Sequence, residues 1–249
     1  MPASEVRILS TRPLGAALLK QAAEKGITID TLSFIATDPI LDDMLTRRVQ
    51  DLRLRPLQVV FTSMNAVEAV VNHLSQQRSG DAMVGPAGDP AMADWKIFCI
   101  GAATRQLVES HFGVTAIAGT APSASELADV ILRQPPSEVF FFCGDQRRDE
   151  LPDELAAAGV KVHEYIVYRT LQTPHKIEAR YDGIAFFSPS AVHSFFSVNM
   201  LPETTTCFAI GSTTAETIRT YGDNLVIISG SPEKEALVRQ IIDYFQNNI

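Results

Sequence analysis

Positive charge, paired cysteines and long apolar runs are all scarce in this chain. Its 21 Lys and Arg residues are outnumbered by 29 Asp and Glu, leaving a formal net charge of −8. A surface of that sign does not attract phosphate backbones generically, which argues against nucleic-acid binding. No apolar stretch approaches the roughly 18 residues of a membrane span. The opening Met1-Pro2-Ala3-Ser4-Glu5 has no basic segment followed by an apolar one, so no secretory leader is expected. Cys99, Cys143 and Cys207 sit in apolar runs without Cys-x-x-Cys spacing. An odd number of such cysteines predicts buried free thiols and a reducing, cytoplasmic compartment. The histidines show neither metalloprotease nor zinc-finger spacing, so no metal is expected. P-loop, Gly-x-Gly-x-x-Gly and Gly-x-Ser-x-Gly patterns are missing too, which leaves nucleotide cofactors and a serine-hydrolase elbow without support.

What the chain does have is one turn used twice. Val59-Val60-Phe61-Thr62-Ser63-Met64-Asn65-Ala66-Val67 is echoed by Ile184-Ala185-Phe186-Phe187-Ser188-Pro189-Ser190-Ala191-Val192. A short continuous apolar run reads as a strand buried on both faces. Ser, Asn and Pro at its end are turn formers and N-caps, and helical spacing follows. The unit is therefore half of a βαβ. Such a turn presents unpaired helix N–H groups and small hydroxyls to any anion that approaches.

The same grammar runs through all 249 residues. Val6–Leu9 reads as a strand, Ser10-Thr11-Arg12-Pro13 as a turn with proline in the first helical turn, and Leu14–Lys25 as a helix closed by Gly26. Ile27–Ile35 alternates as a strand that Ala36-Thr37-Asp38-Pro39 should break. Residues 40–54 look like a charged amphipathic helix, and 78–94 like a surface loop. Ser123 and Glu126 fit a capping box. Arg12…Gly26-Ile-Thr-Ile parallels Arg147…Gly159-Val-Lys-Val, and Gly101-Ala-Ala-Thr104 parallels Gly211-Ser-Thr-Thr214. This internal repeat of roughly 110–120 residues predicts two similar doubly wound α/β domains with parallel sheets. Their ligands should lie at the carboxyl ends of the strands, in a cleft between the domains.

The chemistry on offer is hydroxyls, backbone N–H groups and a few guanidiniums (Arg12, Arg147, Arg148). That set suits carboxylates or phosphates held by many modest hydrogen bonds. The competing reading for every Ser and Thr of these turns is helix capping alone, most strongly for Thr104 and Thr213. His193 reads as a surface or helix-packing residue.

Five features spread over the chain resemble the uroporphyrinogen-III synthase family. They are Thr11-Arg12-Pro13, Phe61-Thr62-Ser63-x-Asn65-Ala66-Val67, Gly101-x-x-Thr104, Tyr168 in Val167-Tyr168-Arg169-Thr170, and Ser188-Pro-Ser-Ala-Val with Ala209-Ile-Gly-Ser-Thr213-Thr214-Ala215. The resemblance implies a cofactor-free, monomeric lyase. It would close hydroxymethylbilane, a linear tetrapyrrole octacarboxylate, to uroporphyrinogen III with loss of water and inversion of the last ring through a spirocyclic intermediate. It further implies flavodoxin-like domains joined by a two-stranded ladder, because the chain starts one domain, builds the other and returns. Carried onto this sequence, domain 1 is 1–36 with 172–249 and domain 2 is 53–164, with 37–52 and 165–171 as linkers.

Under that resemblance Tyr168 is the expected proton donor to the leaving hydroxyl, the competing reading being a strand tyrosine that only covers the domain junction. Arg12, Ser63, Asn65, Gly101, Thr104, Ser188, Ser190, Gly211, Thr213 and Thr214 are expected to bind substrate. Arg148 joins them, with Arg147 or Arg148 left open as the one that faces the ligand. A non-catalytic two-domain binding protein for an anionic small molecule shares the architecture and stands as the alternative.

Overall fold

The computed structural model describes residues 6–75 and 94–247; the loop expected at 78–94 lies, Asp94 apart, outside the described residues. The strands are β1 (Val6–Ser10), β2 (Ile27–Thr31), β3 (Ile35–Pro39), β4 (Gln58–Phe61), β5 (Lys96–Ile100), β6 (Ile117–Ala121), β7 (Glu138–Gly144), β8 (Lys161–Gln172), β9 (Gly183–Phe186), β10 (Thr206–Ala209) and β11 (Val226–Ile228). The helices are α1 (Ala16–Ala23), α2 (Asp43–Leu52), α3 (Met64–Ser75), α4 (Ala102–Phe112), α5 (Ala124–Leu132), α6 (Glu150–Ala157), α7 (Pro189–Phe196), α8 (Ser212–Arg219) and α9 (Lys234–Asn247). They group into two compact units, Met1–Ala36 with Leu171–Ile249 and, separately, Thr37–Thr170.

The first unit holds a parallel sheet in the order β11-β10-β9-β1-β2, with Leu9 beside Asp30 on one side and Ile184 on the other. This is the doubly wound order in which helices cover both faces. Leu9, Ile184 and Phe186 pack on α7 and α8, whereas Ile8, Ala185 and Phe208 pack on α1 and α9. The second unit's sheet runs β3-β8-β7-β4-β5-β6, parallel from β8 through β6. Val59, Phe61, Phe140 and Phe142 face α2, α3 and α4, while Val60, Phe141 and Cys143 face α5 and α6. The period of two along each strand thus fills two cores from one apolar run. Phe61 and Phe142 stack across neighbouring strands with centroids 5.6 Å apart.

The sequence repeat takes a specific form here. Matching strands by their repeat partners sets β1 with β7, β2 with β8, β9 with β4, β10 with β5 and β11 with β6. Apart from the extra edge strand β3, the two spatial orders are then identical, but the second unit's parallel strands begin in chain order at the one equivalent to β9. The units are circular permutations of one design, and in chain order only the first has the flavodoxin order.

Local expectations differ from the structure in a few places. The strand expected over Ile27–Ile35 ends at Thr31, and Ala36-Thr37-Asp38-Pro39, expected to break it, belong to a separate strand, β3, next to β8 at the edge of the other sheet. An edge strand tolerates Pro39 because no N–H is demanded there. The 37–52 segment carries most of β3 and α2, whose N-cap Asp42 accepts from the N–H groups of Met44 (2.6 Å) and Leu45 (3.0 Å). Residues 165–171 lie inside β8. Helix α1 starts at Ala16, so Pro13 stands ahead of it rather than in its first turn. The Ser123 cap forms as expected, accepting from Glu126 N–H at 3.3 Å, but its hydroxyl also donates to the Glu126 carboxylate at 2.9 Å. All three cysteines are free and buried. No described helix is long and apolar enough to cross a membrane.

Candidate functional site

In a doubly wound sheet the crevice lies where two adjacent strands send their helices to opposite faces. In the first unit that point is β1 beside β9. The Thr11 hydroxyl donates to the Ala185 carbonyl at 2.9 Å and ties the end of β1 to β9. Ser10 Oγ donates to the Arg12 carbonyl at 2.6 Å and tightens the turn. Arg12 itself is exposed, and its guanidinium has no hydrogen bond or ion pair among the described residues. Ser188 caps α7 by accepting from Ala191 N–H at 3.2 Å, with Pro189 in the first turn. Ser190 is half-buried in that turn. His193 is exposed and is bonded through Nδ1 to the Tyr221 hydroxyl at 2.7 Å, within the surface or packing role expected of it.

Helices α4 and α8 begin alike. Gly101 and Gly211 occupy their cap positions, without a side-chain cap. Gly101 has φ +80°, a left-handed backbone that suits glycine alone. Thr104 and Thr214, the third residues of these helices, are buried, while Thr213 is exposed. Neither Thr104 nor Thr213 is a cap, so that competing reading fails for both. Burial turns Thr104 and Thr214 toward packing; Thr213 and the bare N–H groups beside Gly101 and Gly211 remain open to a ligand.

The second unit's switch point is β4 beside β7, and here the structure brings two expected residues together. Ser63 at the end of β4 accepts from Ala66 N–H at 3.2 Å, and its Oγ lies 3.1 Å from the Tyr168 hydroxyl on β8. Strand β7 lies between those two strands, so the tyrosine must reach over it. It does so at Gly144. A Cβ built on Gly144 would stand 2.5 Å from Tyr168 Cζ. The register between β7 and β8 also shifts at this point: Phe142 pairs with Tyr165 and Cys143 with Ile166, but Gly144 pairs with Tyr168. The skipped residue is Val167. A shift of one residue re-aims a side chain, and Tyr165 and Tyr168, three apart, consequently pack against the same core. The turn after Gly144 latches onto β8: Asp145 N–H donates to the Tyr168 carbonyl at 3.1 Å, and Asp145 Oδ1 accepts from Thr170 N–H at 2.9 Å. Asn65 is half-buried in the first turn of α3.

The two arginines of that turn separate cleanly. Arg147 is held by the carboxylates of Glu164 and Asp149, which raise its pKa, the Glu164 hydrogen bond contributing most. Arg148 is exposed and has no hydrogen bond or ion pair among the described residues. Arg148 is therefore the one available to an anion. Sequence reasoning missed Gly144, Asp145 and the strut role of Thr11. Only the Gly-Asp pair closing an apolar run hinted at the first two.

Among the described residues no group of His, Cys, Asp and Glu could hold a metal. A cavity of about 460 Å³ near Gln58, Lys96 and Glu138 lies at the amino-terminal edge of the second unit's sheet, the edge opposite Tyr168. Its charges are already paired, Lys96 with Asp94 at 3.1 Å and Glu138 with His163 at 2.8 Å. We assign it no part in the site.

Two permuted, doubly wound sheets with hydroxyl- and amide-lined turns at their carboxyl edges define a duplicated α/β protein suited to a small anion. The comparison with known proteins makes this class specific: residues 16–239 match the family model described as Uroporphyrinogen-III synthase HemD, and the chain belongs to that family. It is similar to the uroporphyrinogen-III synthase of Saccharomyces cerevisiae (strain ATCC 204508 / S288c), 26% identical over 153 residues, 54% of this chain and 54% of that protein. The match thus spans about half the length of the yeast relative. Its fold is like that of a mutant uroporphyrinogen III synthase from the extremely thermophilic bacterium Thermus thermophilus, with TM-score 0.59 at 16% identity over 98% of this chain and 100% of that one. The uroporphyrinogen-III synthetase of Helicobacter pylori 26695 gives TM-score 0.62, also at 16% identity, over 96% and 99% of the two chains.

Proposed function

We propose that this protein is a uroporphyrinogen-III synthase, a hydro-lyase that closes hydroxymethylbilane to uroporphyrinogen III with inversion of ring D. The observation that carries the reading is the Tyr168 hydroxyl, fixed at the sheet's carboxyl edge 3.1 Å from Ser63. Ionising a hydroxymethylpyrrole needs a proton on the departing oxygen. Tyr168 Oη–H supplies it, the C–O bond breaks, and water leaves behind an azafulvene cation. Ring D attacks that cation, and the spirocyclic intermediate reopens and recloses. The proton finally lost from the pyrrole carbon returns to the tyrosinate. Substrate and product stand at one oxidation level, so the cycle requires no redox cofactor. Positioned general acids of this kind contribute about 10²–10⁴-fold. Holding ring D in place and blocking head-to-tail closure supplies the rest.

The substrate's carboxylates are taken up by exposed Arg12, Arg148 and Thr213, by Asn65, Ser188 and Ser190, and by the helix N–H groups that follow Gly101 and Gly211. Three buried thiols suit a cytoplasmic enzyme, and we propose a monomer, to be checked by sedimentation. The test of function is turnover. Protein is incubated with freshly made hydroxymethylbilane, the products are oxidised, and the type I and type III isomers are resolved. The type III isomer is expected. Type I alone, as in the uncatalysed blank, would leave the non-catalytic binding protein as the better reading. Tyr168→Phe should lower kcat by about 10²-fold or more while product affinity stays nearly intact.

A further inference from the structure

We infer that Ser63 and Gly144 are positioning residues that act through Tyr168, Gly144 by leaving room for the ring and Ser63 by donating its hydroxyl proton to Tyr168 Oη. The inference rests on the proposed role of Tyr168 and deepens it. Proton accounting gives the direction. Ser63 Oγ already accepts from Ala66 N–H at 3.2 Å, so its own proton is free to be given away. A tyrosine that must release its proton to substrate cannot also spend it on Ser63. At 3.1 Å the arrangement that serves the reaction runs Ala66 N–H to Ser63 Oγ, Ser63 O–H to Tyr168 Oη, and Tyr168 O–H to the leaving oxygen. As the proton moves, the growing charge on Tyr168 Oη strengthens the Ser63 bond, because hydrogen bonds to charged acceptors are roughly twice as strong as neutral ones. The chain of donors begins at the N-terminus of α3, whose N–H groups favour developing negative charge.

Gly144 is the steric half of the device. Strand β7 separates Tyr168 from Ser63, and any side chain there would collide: the added Cβ would stand 2.5, 2.6 and 2.8 Å from Tyr168 Cζ, Cε2 and Oη. The register shift that pairs Gly144 with Tyr168 and the Asp145 latch onto β8 hold the ring over this gap. Ser63 therefore differs from the other turn hydroxyls. Its counterpart Ser188 makes the same cap contact to Ala191 at 3.2 Å, but no tyrosine hydroxyl bonds it among the described residues.

The experiment measures kcat and KM for type III product in Ser63→Ala, Ser63→Gly, Ser63→Thr, Gly144→Ala, Tyr168→Phe and the Ser63→Ala/Tyr168→Phe pair. Ser63→Ala should lower kcat roughly ten- to hundredfold with KM changed less than about twofold. Ser63→Gly should do the same, and because glycine is tolerated at an N-cap it remains informative if the alanine variant folds poorly. Ser63→Thr should restore most of kcat, and Gly144→Ala should match Ser63→Ala or exceed it. The double variant should be no slower than Tyr168→Phe alone. A rise in KM with kcat intact, or losses that multiply in the double variant, would make Ser63 a direct substrate ligand and overturn the inference. So would full activity in Gly144→Ala. If Tyr168→Phe itself keeps full activity, the proposed proton donor fails first, a different result from impaired Tyr168→Phe beside normal Ser63 and Gly144 variants.

Discussion

His73 shows how one residue carries a condition on the whole fold. It is fully buried, and its Nδ1 lies 2.8 Å from Thr46 Oγ1. That hydroxyl donates to the Asp42 carbonyl at 2.9 Å, so the ring must carry its proton on Nδ1 and give it to Thr46. Nε2 has no hydrogen-bond partner among the described residues. Burial lowers the His73 pKa below its ordinary value, and the Ile40 carbonyl and the Asp42 charge offset this only partly. A histidine depressed in the folded state binds fewer protons there than when unfolded. Its contribution is complete above the unfolded value near 6.5 and is lost as pH falls through 6.5 toward the folded value. The unfolding free energy from urea titrations should therefore drop between about pH 7.5 and 5.5, by no more than about 1.4 kcal/mol per pH unit from this group. His73→Leu should flatten that slope, and an unchanged slope would remove His73 as its source. Arg147 and Arg148 make a second residue-scale contrast. Arg147→Ala should lower stability by at most about 1 kcal/mol, since its two ion pairs are partly screened by water, and should leave KM alone. Arg148→Ala should raise KM several-fold at low salt with no change in melting temperature. The reverse pattern would exchange their roles.

Among the elements, helix starts were the most readable part of the sequence and their purpose the least. The Ser63, Ser123 and Ser188 caps followed from Ser placed before an apolar helical pattern, because an N-cap is a local bond over three residues. Most strands were legible for the same local reason, their apolar runs being long enough to fill both cores; β6, with Gly119 and Thr120 inside it, offers no such run and was not legible. Nor was β3, since Pro39 is a breaker in a central strand and harmless at an edge, and only pairing decides which applies. Gly144 stayed hidden because what it accommodates is a ring two dozen residues away. The candidate site was thus legible as a set of turns, whereas the Ser63–Tyr168 contact needed the strand order. The Ser188 turn can be tested as an element. Ser188→Ala should cost about 1 kcal/mol through the lost cap, and Ser188→Gly only a few tenths. If the hydroxyl touches substrate, both variants should raise KM equally despite unequal melting temperatures. KM that tracks stability would leave Ser188 as a cap alone.

For the molecule as a whole, permutation makes the two units unequal in a way their similar sheets conceal. Thr37–Thr170 is continuous in sequence, whereas the other unit is assembled from Met1–Ala36 and Leu171–Ile249. Among the described residues, each unit's two cores draw on its own residues alone. A continuous segment with a complete core meets the condition for independent folding. Residues 37–170 expressed alone should therefore unfold in one cooperative urea transition with native-like circular dichroism. The remaining unit can be closed on itself. Thr173 N–H donates to the Phe34 carbonyl at 3.0 Å, as Ile40 N–H does to Val167 further along. These two bonds set β3 and β8 antiparallel and place Ala36 opposite Leu171. Two opposed antiparallel residues are the geometry that a two-residue Asn-Gly turn connects. Replacing 37–170 by Asn-Gly should give a second folded protein, stable without the first. If neither piece shows a cooperative transition alone, the units depend on each other for stability, and the self-contained cores seen in each are insufficient to hold it.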